Sequence, residues 1–381
     1  MTAPRLEIRL DQVRHNAEVL VGRLAQRGIG VTGVTKATLG SPEVARELLA
    51  AGVASLGESR VENLEALRSA GVTAPMTLIR SPMLSQVDRV VAHADVSLNT
   101  EPDVIAAMSI AAGEQRRPHG VVVMVELGDL REGILAADLE AAVSHALRLP
   151  HIVVRGIGTN LACQSGVTPD GTNMAELSRL VRSLEARCGM AFDIVSGGNS
   201  ATLDWALGSP DVGRVTDLRL GESILLGREP LGRQPIEGLH TDAFTLVAEV
   251  IESQVKPGRP WGARGETAFG PAGACPDERV PGDAGVDLAD GEETSRVILA
   301  LGRQDVDPDG LVAPDGLRIL GASSDHLVLD AGAARPAIGS EVRFGLGYRA
   351  LLAAMTSPFV TRSFTGASDP QAETTCRPLS I

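Results

Sequence analysis

The amino-acid sequence predicts an α/β protein: an N-terminal (β/α)8 barrel of the TIM type, followed by a C-terminal domain of mostly antiparallel β-structure. Over residues 1–236, short β-branched runs alternate with segments of helical periodicity, which indicates a parallel sheet. Over residues 237–381, strand-like segments follow one another with only Gly- and Pro-containing turns between them, which is typical of antiparallel sheets. We therefore place the domain boundary between residues 236 and 237.

The strands of the first domain are predicted from their apolar composition at 6–9, 30–36, 53–57, 76–79, 96–98, 120–126, 152–158, 192–195 and 217–220. Helical segments separate them; Ser41 followed by Pro42, for example, predicts the start of a helix. This rhythm of about eight βα units fits a closed barrel. An open, doubly wound sheet is the alternative. No Gly-x-Gly-x-x-Gly segment follows the first strand, which argues against that alternative.

The strands of the second domain are predicted at 244–251, 295–301, 317–320, 326–330 and 340–344, with no long helix between them. An acidic segment rich in Gly and Pro, 276–294, predicts a solvated loop. A lid is the alternative interpretation of this segment.

The overall charge excludes several classes of function. The formal net charge is −13, which argues against nucleic acids and anionic membranes as partners because both attract basic surfaces. No apolar run is long enough to cross a bilayer, and the first residues do not resemble a secretory signal. The four cysteines form no Cys-x-x-Cys pair, which predicts reduced thiols and no zinc site. These features predict a cytoplasmic protein.

Lysine is rare in this chain. Of the 35 basic residues, only Lys36 and Lys256 are lysines. Lys36 ends the apolar strand that begins at Gly30, and an amine there can become a nucleophile, which a guanidinium cannot. A strand-end lysine that only extends its amine to water is the alternative. Lys256 lies in a turn-like stretch, where we expect it to be solvated.

Further polar residues follow predicted strands, at the end of a barrel where active sites lie. Arg131, Asn160 and Arg219 are three of them, and Ser196-Gly-Gly-Asn-Ser200 is a fourth group. The last segment suits a phosphate, because glycines allow close approach of backbone N–H groups; an ordinary capped turn is the alternative. A reactive amine, a phosphate anchor and a partner for a ring nitrogen together indicate pyridoxal phosphate (PLP).

The chain resembles the fold-type III PLP enzymes of the alanine racemase superfamily, and within it the ornithine racemase-like branch. The resemblance rests on motifs spread over nearly the whole chain: Gly33-Val-Thr-Lys36, Gly57-Glu-Ser-Arg-Val-Glu-Asn63, Gly156-Ile-Gly-Thr-Asn-Leu161, Ser196-Gly-Gly-Asn-Ser200, Arg219-Leu-Gly-Glu222, Ala300-Leu-Gly-Arg-Gln-Asp-Val-Asp307, Gly321-Ala-Ser-Ser-Asp-His326 and Ala354-Met-Thr-Ser-Pro358.

The resemblance implies roles for several residues of the barrel. Lys36 would be the Schiff-base lysine and one catalytic base, and Arg219 would contact the pyridine nitrogen. Arg131 would lie near the cofactor phenolate or the substrate carboxylate, and Asn160 beside the ring. The phosphate would be held by Ser196, Asn199, Ser200, Gly221 and Glu222. The resemblance also implies a homodimer, in which the β domain of one subunit completes the site of the other.

The chain departs from alanine racemase at the second base, which there is a tyrosine of the partner's β domain. The matching stretch, 260–266, contains no tyrosine. Tyr348, the only tyrosine, is one candidate, with a core or phosphate-contacting phenol as the alternative. Cys163 is the other, with a buried packing role as the alternative.

These observations predict a PLP-dependent racemase that acts on ornithine or a similar amino acid. Aspartates of the β domain, Asp305, Asp307 and Asp325, could attract a distal ammonium, or they could simply shape turns. The alternatives for the whole chain are another PLP reaction on the same fold, such as decarboxylation or elimination, and a non-catalytic PLP-binding homeostasis protein. The second domain argues against the last, because such proteins are single barrels.

Overall fold

The computed structural model describes residues 2–258, 260–263, 265–266, 268–269 and 293–367, and the backbone of 375–376. The chain separates into two compact units. The barrel unit consists of Leu10–Thr241 with Gly366–Ser368, and the β unit consists of Met1–Arg9, Asp242–Thr365 and Asp369–Ile381. Most of the predicted acidic loop at 276–294 lies outside the described residues.

Eight parallel strands close the barrel, as predicted. With β1 assigned to Arg5–Arg9 of the β unit, the barrel strands are β2 (Gly30–Val34), β3 (Ser55–Glu58), β4 (Met76–Leu78), β5 (Val96–Asn99), β6 (His119–Met124), β7 (Ile152–Gly158), β8 (Ile194–Ser196) and β9 (Asp217–Leu220). Pairing of β2 with β9 completes the circle, so the predicted closed barrel is confirmed and the open sheet is wrong.

The barrel unit also contains helices α1 (Leu10–Ala25), α2 (Pro42–Ala50), α3 (Val61–Ser69), α4 (Val87–His93), α5 (Pro102–Glu114), α6 (Leu139–Leu147), α7 (Gly171–Cys188), α8 (Leu203–Gly208) and α9 (Glu222–Leu226). Capping residues fix the first residue of several of these helices. Ser41 caps α2 with Pro42 at its first position, and Asp170 forms a capping box with Asn173 at the start of α7.

The barrel interior is filled by apolar side chains from alternate strand positions. Val96 and Leu98 of β5 pack with Val122 and Met124 of β6, and Ile194 of the more distant β8 joins the same cluster. A filled interior leaves the chemistry to the strand ends and their loops.

Over the residues described, the β unit forms a nine-stranded sheet. Its strands besides β1 are β10 (Phe244–Pro257), β11 (Glu293–Leu299), β12 (Leu311–Val312), β13 (Arg318–Ala322), β14 (Leu327–Asp330), β15 (Glu341–Leu346), β16 (Thr361–Thr365) and β17 (Thr375–Cys376). Pairing is antiparallel except between β1 and β16, which confirms the predicted class of this domain. A nine-residue helix, α10 (Tyr348–Thr356), was not predicted.

The first strand belongs to the β unit, whereas the sequence placed residues 1–236 together in the barrel domain. β1 pairs with β10 on one side and β16 on the other. Leu6 and Ile8 are fully buried there, and Arg5 forms an ion pair with Glu341 of β15. The division between the units also falls at Thr241 instead of residue 236.

Lys256 lies within β10 and not in a turn, and its amine forms an ion pair with Glu252. Within the described part of the chain, no helix has the length and apolar character needed to cross a membrane.

Candidate active site at the strand ends of the barrel

Thr35 separates Lys36 from the end of β2 at Val34, and Lys36 begins a short 3-10 turn that ends at Thr38. It is half-buried. The turn is closed by two residues in the left-handed region, Leu39 (φ 53°) and Gly40 (φ 64°). A side chain at Gly40 would place its Cβ 2.9 Å from the Cβ of Asn63, so this position requires glycine. The backbone that carries Lys36 is therefore closely specified.

Arg219, in β9, is buried, and its guanidinium forms three hydrogen bonds to neighbouring groups. One Nη donates to the Thr159 carbonyl (2.9 Å) and to Asn160 Oδ1 (3.1 Å), and the other donates to Ser196 Oγ. Burial lowers the pKa of Arg219, and the nearby Asp217 carboxylate opposes this shift. The guanidinium is held in one orientation by groups at the ends of two strands, β7 and β8.

Asp217 completes this network from the start of β9. Its carboxylate accepts hydrogen bonds from Ser196 Oγ (2.6 Å) and Thr32 Oγ1 (2.7 Å). Burial raises the pKa of Asp217, while the two hydroxyl groups and Arg219 lower it. The Ser196 hydroxyl, which the sequence assigned to a phosphate, thus bonds to Asp217 and Arg219.

Two asparagines connect the loops after β7 and β8. Asn199 Nδ2 donates to Asn160 Oδ1 (3.1 Å) and the Leu161 carbonyl (2.9 Å), and Asn199 Oδ1 accepts from the Ala201 N–H (2.8 Å). Asn160 is 9% exposed, and its Nδ2 has no hydrogen-bond partner among the residues that the structure describes. A buried amide donor without an acceptor is rare in folded proteins and here suits a bound ligand.

Ser200 links the loops after β8 and β9. Its hydroxyl accepts from the Gly221 N–H (3.3 Å) and the Ser223 N–H (3.2 Å), and lies 3.0 Å from Ser223 Oγ. Glu222 lies between the two donors, where it forms an ion pair with Arg233. Burial raises the pKa of Glu222, and the positive charges of Arg233 and Lys36 oppose this shift.

The loops after β6 and β7 form a further group. Asp129 is fully buried, and its carboxylate accepts from the N–H groups of Cys163 (3.2 Å), Gln164 (3.0 Å) and Ser165 (3.0 Å). These three bonds fix the segment that carries the exposed Cys163 thiol, so the predicted alternative of a buried packing cysteine is wrong.

The thiol of Cys163 lies among hydrogen-bond donors. Asn199 Nδ2 is 3.2 Å from its sulfur, and the Arg131 guanidinium interacts with it as well. Arg131 is exposed and forms an ion pair with Glu132, which raises the pKa of Arg131. The strand ends therefore bring Arg131, Asn160, Cys163 and Asn199 into one connected group with Arg219.

Tyr348 is the first residue of α10 in the β unit and is half-buried there. The aspartates proposed to attract a distal ammonium have local partners. Asp305 accepts from the Gly302 N–H (2.9 Å), Asp307 caps a 3-10 turn and pairs with Arg349, and Asp325 contacts His326. These contacts favour the turn-shaping interpretation.

Sequence reasoning did not assign Glu58, Asp129 or Asp217. Glu58 ends β3, Asp217 begins β9 and Asp129 lies in the loop after β6, and each carboxylate accepts hydrogen bonds from other residues of the candidate site. These contacts join residues far apart in the sequence, so no local pattern indicated them.

Comparison with known proteins identifies the family. The family described as alanine racemase, N-terminal domain, matches residues 8–229, which is more than half of the chain. The chain belongs to the alanine racemase family.

Two relatives from this family match nearly the full length. The chain is 38% identical over 369 residues to a lysine racemase of Thermotoga maritima, covering 96% of this chain and 99% of that protein. It is 34% identical over 364 residues to an ornithine racemase of Acetoanaerobium sticklandii, covering 94% and 99%. The predicted resemblance to the ornithine racemase-like branch, and the predicted class of amino-acid racemase, are confirmed.

The fold of the alanine racemase family is also seen in solved structures. An alanine racemase from a D-cycloserine-producing Streptomyces lavendulae superposes with a TM-score of 0.71 at 19% sequence identity, covering 96% of this chain and 98% of that one. This likeness confirms the predicted barrel and β domain.

Proposed function

We propose that this racemase uses pyridoxal phosphate to interconvert the enantiomers of a basic amino acid, ornithine or lysine. The substrate class is supported by the two near-full-length relatives, whose names specify ornithine and lysine. The observation that carries the proposal in the structure is the convergence of Lys36, Arg219 and the unpartnered Asn160 amide at the strand ends of one barrel.

The residues present fit the cofactor. Asn160 Nδ2 is a buried donor that lacks an acceptor, and a phenolate or ring substituent would supply one. Lys36 would hold the cofactor carbonyl carbon, Arg219 would face the ring nitrogen, and Arg131 would lie near the phenolate or the substrate carboxylate. The phosphate would be bound by the two loops that Ser200 joins, which carry Asn199, Gly221 and Glu222. Ser196 would orient Arg219 by accepting its hydrogen bond.

The chemistry of racemisation divides between cofactor and protein. Pyridoxal phosphate, when bound, withdraws electrons from an attached amino acid and so acidifies its Cα–H bond. Lys36 then removes or returns the proton on one face of Cα. Arg219 stays protonated because a guanidinium gives up its proton so reluctantly, and it donates a hydrogen bond without transferring a proton to the ring. A ring nitrogen that receives no proton would make the bound cofactor a weaker electron sink, which would suit a reaction in which the proton returns to Cα quickly.

The proton on the opposite face needs a second group, and we assign it to the Cys163 thiol. The thiol is exposed, is fixed by the Asp129 carboxylate, and lies beside the donors Arg131 and Asn199. Tyr348 is the second candidate, as the only tyrosine of the chain.

Isotope exchange distinguishes these two candidates. In ²H₂O, Cys163→Ala should still exchange the Cα proton of the enantiomer that faces Lys36, but should not invert it. Tyr348→Phe should retain inversion in both directions. Loss of inversion in Tyr348→Phe with retention in Cys163→Ala would transfer the role to Tyr348.

Single-enantiomer assays test the function as a whole. Purified protein with added cofactor should racemise L- and D-ornithine and lysine, measured by chiral chromatography, and Lys36→Arg should be inactive. Lys256→Arg is the matched control and should keep activity. If no amino acid in a broad panel loses optical activity, the racemase assignment fails; release of CO₂ or ammonia instead would establish decarboxylation or elimination.

We further propose that the protein is a homodimer, on the basis of the family resemblance, and that it is cytoplasmic, on the basis of the sequence features described above. Light scattering of the purified protein measures the mass directly, and a monomer at micromolar concentration that is fully active would contradict the dimer.

A further inference from the structure

Glu58, the last residue of β3, is a fully buried carboxylate next to the Lys36 turn. It accepts hydrogen bonds from Thr35 Oγ1 (3.1 Å), Asn63 Nδ2 (3.1 Å) and the Ser59 N–H (2.8 Å), and a longer one from the Arg60 N–H (3.5 Å). Every one of these partners is a donor, so the site calls for a group that only accepts.

Thr35 precedes Lys36 and makes the backbone hydrogen bonds that close the turn. It is fully buried, and its N–H donates to the Gly57 carbonyl (3.0 Å). Its own carbonyl accepts from the N–H groups of Thr38 (3.0 Å) and Gly40 (3.2 Å). The hydroxyl of Thr35 is the group that reaches Glu58, so Glu58 holds the first residue of the turn by its side chain.

The other end of the turn, Gly40, is also connected to Glu58, through Asn63. Gly40 packs so closely on Asn63 that a Cβ at Gly40 would lie 3.1 Å from the Asn63 carbonyl oxygen. Asn63 in turn donates its amide to Glu58. One carboxylate therefore connects both ends of the turn that carries Lys36.

Burying a carboxylate costs more desolvation free energy than burying an apolar side chain of similar size. Burial raises the pKa of Glu58, and the hydrogen bonds from Asn63, Ser59 and Thr35 oppose this shift. An apolar side chain would avoid the desolvation cost altogether if packing were the only requirement. A glutamine would present an NH₂ group to partners that are themselves donors. The carboxylate is thus matched to holding these particular donors in place.

We propose that Glu58 is a positioning residue for Lys36, which fixes the Thr35–Gly40 turn through Thr35 and Asn63 so that the Lys36 amine meets its target in one orientation. The proposal rests on the function proposed above for Lys36. Small displacements of a reacting group reduce rates strongly, so loosening this turn should reduce reactivity in a protein that remains folded.

Covalent capture of pyridoxal phosphate by the apoprotein provides the test. Borohydride reduction at timed intervals, followed by peptide mass spectrometry, gives the rate of capture at Lys36, and Lys256 serves as an internal reference in the same sample. In Glu58→Gln and Thr35→Val the rate at Lys36 should fall on the order of 10-fold, and kcat should fall with KM little changed. The matched control Glu62→Gln, on the exposed side of α3, should remain within about 2-fold of the wild type.

A merely structural role gives a different result. Glu58→Gln would then lower the melting temperature but capture pyridoxal phosphate at the wild-type rate well below that temperature, and the proposal would be overturned. If Glu58→Gln does not fold, Thr35→Val and Asn63→Ala, which each remove one bond, decide the question in the same way.

Failure of the proposed function has its own signature. If wild-type protein does not capture the cofactor at Lys36, the function fails, and ¹³C-methylation of the amines then tests the positioning alone. With two lysines in the chain, the Lys36 methyl signal in the NMR spectrum is readily assigned. A signal unchanged between wild type and Glu58→Gln would overturn the positioning role; a shifted signal would support it.

Discussion

Arg219 shows how single side chains are oriented in this site. Its guanidinium bonds to a backbone carbonyl, an amide oxygen and a hydroxyl, and that hydroxyl is held in turn by Asp217. Two of these acceptors, Thr159 and Asn160, lie directly after β7, and the third, Ser196, is the last residue of β8. The planar fork of an arginine presents its donors in a fixed arrangement that spans these acceptors, which the compact ammonium of a lysine does not.

Arg219→Lys should therefore lose most of the activity although the charge is kept. We expect kcat/KM to fall on the order of 100-fold, and the free energy of unfolding to fall by about 2 kcal/mol because buried acceptors lose their donors. Steady-state kinetics and urea unfolding measure the two effects. Arg187→Lys, on the exposed side of α7, is the control; equal effects of the two changes would contradict the argument.

At the level of elements, close approach of neighbouring strands limits the side chains that β7 can carry. A Cβ at Gly156 would lie 1.7 Å from the Ile194 carbonyl oxygen of β8, which no side chain can tolerate. Gly22, on the exposed face of α1, has a helical backbone, and a Cβ added there would meet no atom within 4 Å. The same substitution should thus have opposite effects at the two positions.

Gly156→Ala should destabilise the barrel by about 3 kcal/mol or more, because two strands must separate to admit one methyl group. Gly22→Ala should stabilise it by about 0.5–1 kcal/mol, because alanine loses less backbone freedom in a helix. Denaturant midpoints of the two variants measure both effects. A Gly156→Ala protein as stable as the wild type would show that β7 and β8 are not this closely spaced.

His119, at the start of β6, makes stability depend on pH. It is buried with its Nε2 2.9 Å from Ser97 Oγ, and burial lowers the pKa of His119 to about 4, assisted by the charge of Arg117 and opposed by Asp95. Between pH 4 and its ordinary value of 6.5, the unfolded chain binds a proton that the folded chain does not. The contribution is therefore complete above pH 6.5 and is lost as the pH falls towards 4.

Over that range the loss should reach about 3 kcal/mol. The measurement is the free energy of unfolding at pH 7.5 and pH 5 for the wild type and for His119→Gln, whose amide can replace Nε2. The variant should lose less stability than the wild type on acidification. Equal losses would mean that carboxylates, not His119, govern this transition.

At the level of the whole chain, the first strand contributes to a unit built mainly from residues beyond 242. β1 lies between β10 and β16, so its removal would expose two strand edges at once. A chain lacking residues 2–9 should keep a protease-resistant barrel unit while the β unit becomes susceptible, as followed by limited proteolysis and mass spectrometry. Deleting only residues 2–3, which precede the strand, should change little. Unchanged resistance of the β unit without β1 would contradict the pairing.

The barrel could be predicted from the sequence because strand composition is a local signal. Candidate residues for the site could be named because polar residues at strand ends are also a local signal, and their roles stay a prediction. Lys36 and Asn160 could be singled out from their position at the ends of apolar runs, and Arg219 from its position within one. The partner of β1 could not be predicted, because alternation in five residues identifies a strand but not the sheet it joins. Glu58 was missed for a related reason: its importance lies in a contact with Thr35 across two strands, which no local pattern reports.

The position of β1 also defines the connectivity of the two units. Ile8 pairs with Phe244, and the Arg9 N–H bonds to the Ala243 carbonyl (2.9 Å), so the chain leaves the β unit and returns to it at adjacent points. β1 and β10 are in effect a hairpin whose connecting loop is an entire barrel. Such an insertion can be exchanged for a short turn, because the ends it must join are already neighbours. The β unit can therefore be redesigned as a continuous domain in which a two-residue turn links Arg9 to Asp242.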